Sequence, residues 1–241
     1  MRITKFIVAL KVLMLLSFMY NCSAQSDDKK ESKASTQDVT FNKNSLTLKN
    51  KPYHIEASTE DGFKKAKDGY KNILSKESSS SVIIKNNAID LVLANNKKIT
   101  FTNIKEGSDE TETKEYKYVG QSSQPDYFVI NAKYWEGSEF FLVNKQNGRI
   151  DTLWNSPLFS PELKYIACQS EMYGMDGVPN GIQIFSVRNS SLEKIVAIDQ
   201  QEWVPLEVVW ENEKSLIIKA NNPEDYLKKV DHFIYLKVII L

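Results

Sequence analysis

Cysteine is scarce in this chain, and the two residues present, Cys22 and Cys168, lie far apart in the sequence. A secreted domain held together by disulfides normally contains an even set of several closely spaced cysteines. A disulfide scaffold is therefore excluded, and the fold must depend on a hydrophobic core. The 241 residues are enough for one compact domain in addition to a leader and a linker.

An excess of positive charge is also lacking. Basic and acidic residues number 31 each, and three of the basic ones (Arg2, Lys5 and Lys11) lie in the first 24 residues, which leaves 28 basic residues against 31 acidic residues in the processed chain. Affinity for nucleic acids depends mainly on Lys and Arg contacts to phosphates. We therefore do not expect a nucleic acid as a partner.

The motifs of common enzyme classes are missing as well. There is no G-x-S-x-G elbow, no glycine-rich phosphate loop, and no H-x-x-x-H or C-x-x-C pair. The only histidines, His54 and His232, are too far apart in sequence to suggest a metal site, and we expect no metal and no cofactor. Cys168 lies in an apolar segment, which favours a buried thiol over a nucleophile. A catalytic residue cannot be named, and an enzymatic function is less expected than binding.

What the sequence does contain begins with a signal peptide over residues 1–24. Residues 1–5 carry two positive charges, and residues 6–20 are apolar apart from Lys11. The uninterrupted apolar part, residues 12–20, is shorter than the roughly 20 residues that cross a membrane. We therefore predict export and removal of the leader.

Two cleavage sites compete at the end of this leader. Residues 19–22 (Met-Tyr-Asn-Cys) resemble a bacterial lipobox, and cleavage before Cys22 would produce a lipoprotein acylated at that cysteine with palmitate-type chains. Alternatively, Cys22 and Ala24 are small residues at the recognition positions of ordinary signal peptidase, which would release a chain that begins at Gln25. We expect the lipoprotein, because Cys22 directly ends the hydrophobic run.

The next segment, residues 25–38, has the composition of a flexible linker, since it lacks large apolar side chains. Its acidic pair, Asp27 and Asp28, resembles the surface-export signals of some Bacteroidetes lipoproteins. The expected location is the outer membrane or cell surface, or the periplasm or exterior if cleavage occurs after Ala24.

Residues 39–241 are predicted to form a single all-β domain of antiparallel strands. Short apolar segments alternate there with Asn, Gly, Ser and Pro. The predicted strands are residues 81–84, 88–94, 98–104, 116–119, 127–135, 139–144, 149–154, 165–169, 181–187, 193–199, 207–210, 215–220 and 232–241. One short helix is predicted over residues 61–74, where apolar residues recur at helical spacing after Asp61.

A weak repeat relates two predicted strand pairs, residues 139–154 and 181–196, about 42 residues apart. Residues 158–167 (Leu-Phe-Ser-Pro-Glu-Leu-Lys-Tyr-Ile-Ala) resemble the repeats of WD40-like and TolB-type β-propellers, with Glu162-Leu163 at the usual Asp-Gly position, and residues 209–217 resemble a second copy. The resemblance implies a partial β-propeller-like stack and a binding surface, while a β-sandwich built from the same hairpins stays open.

The candidate binding residues are Glu171, Tyr173, Asp176 and Trp135. The first three lie in a polar insertion, residues 169–181, which is longer than an ordinary hairpin turn. Glu171 and Asp176 offer oxygen ligands, although their spacing is not that of an EF-hand. Aromatic side chains such as Tyr173 and Trp135 can stack on sugars or form a protein contact, whereas the tryptophans of strands are more often core residues.

These observations predict an exported binding protein without catalytic activity, whose partner is a protein or glycan of the cell envelope and whose lipid anchor holds it to the membrane. Two alternatives are an envelope hydrolase, which would need paired carboxylates, and a structural or assembly lipoprotein.

Overall fold

The computed structural model describes residues 51–76, 79–104, 113–135, 137–175, 177–188 and 191–241. The signal peptide, Cys22 and the linker at residues 25–38 lie outside the described residues. The elements in chain order are β1 (Tyr53–Ala57), α1 (Glu60–Gly69), β2 (Val82–Lys85), β3 (Ala88–Val92), β4 (Lys98–Thr102), β5 (Lys114–Ser123), β6 (Asp126–Tyr134), β7 (Gly137–Asn144), β8 (Ile150–Leu153), β9 (Leu158–Phe159), β10 (Tyr165–Ser170), β11 (Gly181–Arg188), β12 (Ser191–Asp199), β13 (Val204–Trp210), β14 (Ser215–Asn221), α2 (Pro223–Lys228) and β15 (Phe233–Ile240).

The strands form four antiparallel sheets, which confirms the predicted all-β class. Sheet 1 has the order β2-β3-β4, sheet 2 β5-β6-β7-β8, sheet 3 β12-β11-β10-β9 and sheet 4 β1-β15-β14-β13. Sheets 1 to 3 are consecutive segments of the chain, whereas β1 is added to the edge of sheet 4 by pairing with β15. Sequence reasoning found all the described strands except β1 and the two-residue strand β9.

The sheets stack face to face in chain order, because many of their strands are apolar on both faces. Strand β6 shows this clearly: Tyr127 and Val129 join a core cluster with sheet 3, while Phe128 and Ile130 join a cluster with sheet 1. This alternation follows from the two-residue repeat of a strand. A third cluster, which includes Ile184 and Trp210, joins sheets 3 and 4.

The far face of sheet 4 is covered by α1. Phe63 and Ala66 of the helix pack against Val209 and Ile217. Among the apolar clusters of the described ranges, none joins sheet 4 to sheet 1. The described strands therefore form four sheets that pack in chain order, which is more than the two layers of a β-sandwich.

Helix α1 begins one residue before the predicted start, with Thr59 rather than Asp61 as its N-cap, and it ends earlier than predicted. The Thr59 hydroxyl caps the first turn by accepting a hydrogen bond of 3.1 Å from the Gly62 N–H. The helix stops at Gly69, and Tyr70 is extended with φ −74° and ψ 132°. The predicted end at residue 74 is wrong because Ile73 and Leu74 leave the helix and pack against the core between sheets 2 and 3.

A second helix, α2, was not predicted, so the expectation of a single helix is also wrong. Asn222 caps it by accepting a hydrogen bond of 2.9 Å from the Asp225 N–H, and Pro223 occupies its first turn. Asn followed by Pro and two acidic residues is a helix-start signal that was visible in the sequence. No helix in the described part of the chain has the length and apolar character needed to span a membrane.

The residues that resemble propeller repeats occupy equivalent places in adjacent sheets. Residues 158–167 contain β9, a turn and β10, and residues 209–217 contain the end of β13, a turn and the start of β14. Leu163 has φ 64°, in the left-handed region, at the position where the resembling repeats have Gly. Leu163 is therefore a non-glycine residue in the left-handed region, which few such residues adopt.

Candidate functional site

The long loop between β10 and β11, residues 171–180, rests on helix α2 of the adjacent sheet. The rings of Tyr173 and Tyr226 lie edge to face, with centroids 6.5 Å apart and planes at 80°. The Tyr226 hydroxyl donates a hydrogen bond to the Glu171 carboxylate. These contacts bring together one loop from sheet 3 and one helix from sheet 4.

Three large apolar side chains are exposed on these two segments and just after them. Met175 in the loop is 51% exposed, Leu227 in α2 is 67% exposed, and Val230 after the helix is 46% exposed. Helix α2 contributes no residue to the core. We use the name loop–helix surface for the set of residues Glu171, Tyr173, Met175, Tyr226, Leu227 and Val230.

Both segments are fixed at their bases by buried asparagines. The Asn180 side-chain amide donates hydrogen bonds to the backbone carbonyls of Gln200 (2.7 Å) and Trp203 (2.8 Å). The Asn221 side-chain amide donates a hydrogen bond of 2.9 Å to the Val230 carbonyl. Because buried amide donors are costly to leave unpaired, these bonds hold the loop and the helix in a defined position.

Two titratable groups of the loop–helix surface, Glu171 and Tyr226, have shifted pKa values. Burial raises the pKa of the Glu171 carboxyl, and the hydrogen bond from Tyr226 opposes this shift. Burial also raises the pKa of Tyr226, and the neighbouring Glu171 charge acts in the same direction. Protonation of Glu171 is therefore easier than that of an ordinary glutamate, which is the requirement for a carboxyl that donates a proton or meets an apolar partner.

The structure brings together only part of the predicted site. Glu171 and Tyr173 share the loop–helix surface, Asp176 lies outside the described residues, and Trp135 is 58% exposed on the β6–β7 turn of sheet 2. Sequence reasoning missed Tyr226 and Leu227. The available signal was the helix start at Asn222, which would have exposed a short helix at this end of sheet 4.

The other three tryptophans are buried or half-buried. Trp203 and Trp210 are buried, with exposures of 5% and 2%, and the Trp210 indole N–H donates a hydrogen bond of 2.9 Å to the Leu158 carbonyl. Trp154 is half-buried and packs against the core between sheets 2 and 3. Trp135 is therefore the tryptophan with the most accessible ring.

The two histidines, which could have been metal ligands, have different carboxylate neighbours. His54 lies 3.9 Å from Glu56, and His232 lies 3.1 Å from Asp225. Across the described ranges, no group of three or more His, Cys, Asp or Glu side chains is arranged to hold a metal ion.

Cys168 is fully buried, as its sequence context predicts. Its thiol donates a hydrogen bond of 3.2 Å to Gln183 Oε1. Burial raises the pKa of the Cys168 thiol to about 11. Because the thiolate is the reactive form, this cysteine is unreactive at neutral pH.

The chain matches no known protein family, no curated protein and no solved structure. A functional conclusion therefore depends on the chemistry of the surface rather than on the fold.

Proposed function

We propose that this chain is an exported, lipid-anchored binding protein of the cell envelope that contacts a protein partner through the loop–helix surface. The observation that supports the proposal is the exposure of Met175, Leu227 and Val230 on two adjoining segments that are rigidly held at their bases. Exposed apolar groups of this kind are typical of interaction sites when they are clustered rather than scattered.

The composition of the surface favours a protein over a glycan. Tyrosine and methionine are enriched at protein interfaces, and the loop–helix surface offers Tyr173 and Tyr226 beside Met175. The two tyrosine rings pack edge to face against each other. A sugar platform instead needs an open ring face, which Trp135 on another sheet provides better. Glycan binding is therefore the alternative outcome.

Fixation of the surface supports tight binding. Asn180 and Asn221 order the loop and the helix before any partner arrives. Binding then costs less conformational entropy than it would for a loop that orders on contact.

The lipid anchor is proposed from the sequence alone. Cys22 follows the hydrophobic run of the leader, and residues 25–38 would serve as a tether between the membrane and the domain. Metabolic labelling with a palmitate analogue tests this part by comparing the intact chain with Cys22→Ala. Label that enters only the intact chain supports the anchor, whereas an unlabelled chain that begins at Gln25 contradicts it.

The binding surface is tested by the double substitution Met175→Ser and Leu227→Ser. After crosslinking in living cells, we expect this variant to recover much less of the crosslinked complex than the intact chain. The matched control is Ile83→Ser with Ile150→Ser, because these side chains are also exposed apolar residues but lie on sheets 1 and 2. Equal losses in both variants would contradict a specific role of the loop–helix surface.

A second candidate function is hydrolysis of an envelope polymer. Glycoside hydrolysis needs a carboxyl that acts as the acid together with a second carboxylate, and Glu171, which accepts a hydrogen bond from Tyr226 on the loop–helix surface, is the candidate acid. A measured turnover that disappears in Glu171→Gln would establish this function in place of binding alone. A stable complex of fixed stoichiometry would instead identify an assembly lipoprotein.

A further inference from the structure

A cavity of about 680 Å³ lies between the C-terminal half of α1 and the turns that precede β10 and β14. Tyr70 also lines a second cavity of about 450 Å³. Both volumes fall in the range of small-molecule sites, roughly 300 to 1,000 Å³. Neither cavity includes a residue of the loop–helix surface.

The side-chain acceptor groups of Glu211 and Asn212, which line the larger cavity, already form hydrogen bonds or an ion pair within the protein. The Glu211 carboxylate accepts a hydrogen bond of 2.7 Å from the Ser215 hydroxyl and lies 3.1 Å from the Lys237 ammonium. The Asn212 side-chain oxygen accepts hydrogen bonds from the backbone N–H groups of Lys214 (2.9 Å) and Ser215 (3.0 Å). A ligand that offers only donors would therefore find few free acceptors.

Three side-chain donor groups around the same cavity have no hydrogen-bond or ion-pair partner among the described residues. Lys65 and Lys71 both line it, and neither forms an ion pair with a described residue. Against the effect of burial, the hydrogen bond from Ser215 and the Lys237 ammonium lower the pKa of the Glu211 carboxyl, and the Lys65 charge contributes least. The Asn212 side-chain NH₂ likewise donates to no group in the described ranges.

Apart from Ser160 and the buried Tyr70 hydroxyl, the rest of the wall is mainly apolar. Tyr70, Ile73, Pro161 and Trp210 contribute to it together with Ala66. Gly69 also lines the cavity, and a Cβ built there would meet no atom within 4 Å. Gly69, the last residue of α1, is exposed, so a side chain introduced there would meet open space.

We propose that this cavity binds an anionic amphiphile, a small molecule with one carboxylate, phosphate or sulfate head and an apolar body. Lys65, Lys71 and the Asn212 amide contact the head, and the wall formed by Tyr70, Ile73 and Pro161 contacts the apolar body. This site goes beyond the proposed function, because it shares no residue with the loop–helix surface.

Isothermal titration calorimetry of the purified full chain with sodium decanoate, kept below its micelle concentration, tests the proposal. We expect one decanoate per chain and at least tenfold weaker binding to the double variant Lys65→Gln, Lys71→Gln. The matched control is Lys133→Gln with Lys194→Gln, which removes two exposed lysines of sheets 2 and 3 and should leave the affinity unchanged. Decyltrimethylammonium, with the same chain length and the opposite charge, should bind at least tenfold more weakly than decanoate.

A second variant tests the location independently of charge. Gly69→Leu places an apolar side chain in the open space and should weaken decanoate binding while circular dichroism and thermal unfolding show a folded chain. The proposal is overturned by any of three results: no decanoate binding to the intact chain at millimolar concentration, equal affinity in the double lysine variant, or equal affinity for the cationic amphiphile. Decanoate affinity unchanged in Gly69→Leu would also overturn it, because the ligand would then occupy another place.

Discussion

The Glu213 carboxylate in the turn between β13 and β14 accepts a hydrogen bond of 2.7 Å from the Ser160 hydroxyl in the turn between β9 and β10. It also accepts hydrogen bonds from the backbone N–H groups of Glu162 and Lys164 (3.1 Å). One side chain of sheet 4 therefore organises the turn of sheet 3. The two turns lie in the segments that resemble propeller repeats, so their likeness in sequence coincides with a direct contact.

Replacement of Glu213 by Ala should lower the free energy of unfolding by about 2 kcal/mol, because three donors lose a charged acceptor. Urea unfolding followed by tryptophan fluorescence measures this change. The control Glu202→Ala removes an exposed carboxylate and should change stability by no more than about 0.5 kcal/mol. Similar values for the two variants would show that the link between the turns contributes little.

Gly181 is predicted to tolerate no side chain. Its φ is +151°, and a Cβ there would lie 1.9 Å from the Ile198 carbonyl oxygen on the paired strand β12. Gly181→Ala should therefore destabilise the fold by at least about 2 kcal/mol, since backbone atoms must move. Gly69→Ala is the contrasting substitution, because its Cβ meets nothing within 4 Å, and it should be neutral or stabilising by up to about 1 kcal/mol. Thermal unfolding of both variants tests the contrast.

The end of helix α2 offers a stabilising substitution. Lys229 has φ 56° at the C-cap, a left-handed conformation that glycine adopts without a steric cost. Lys229→Gly should stabilise the fold by up to about 1 kcal/mol, whereas Lys228→Gly, within the helix, should destabilise it by about 1 kcal/mol. Equal effects of the two changes in a denaturant titration would contradict the assigned helix end.

Asp90 should make stability depend on pH. Its carboxylate accepts a hydrogen bond of 2.7 Å from the Thr100 hydroxyl and one of 3.0 Å from the Lys98 ammonium, and these groups hold its pKa below the usual range. A pKa that is lower in the folded state stabilises the fold above the unfolded pKa, and this contribution is lost as pH falls through the folded value.

The variant Asp90→Asn should therefore be less stable than the intact chain at pH 7, and the difference should shrink at about pH 3 and below. Urea unfolding at a series of pH values measures it. Asp231→Asn, at an exposed position, is the control and should show little difference at any pH. If the difference in the free energy of unfolding between the intact chain and Asp90→Asn stays constant with pH, the assigned role of Asp90 is contradicted.

Most strands could be predicted from the sequence because alternation and turn residues are local signals. Asn96 and Gly148, in the short connections between predicted strands 88–94 and 98–104 and between 139–144 and 149–154, have positive φ values of 62° and 77°, which residues of these types adopt readily. Strand β1 was missed because its partner β15 is at the other end of the chain, and strand β9 because it has only two residues. Pairings of this kind depend on tertiary contacts that a local pattern does not contain.

The candidate site was predicted only in part for the same reason. The length of the loop at residues 171–180 indicated a functional segment, and Glu171 and Tyr173 do lie on the proposed surface. Their contact with Tyr226, about 50 residues further along the chain, depends on the packing of sheet 3 against sheet 4. Trp135 has the residue type of a binding side chain but belongs to another sheet, and residue type alone does not reveal that separation.

Site-specific photo-crosslinking in living cells is the most direct test of the proposed binding function. A photoreactive amino acid is placed at position 227 on the loop–helix surface and, as a control, at position 194 on β12, which is also exposed. We expect one discrete crosslinked protein from position 227 and none from position 194. If position 227 yields no crosslink, or yields the same products as position 194, the chain does not bind a protein partner through the loop–helix surface.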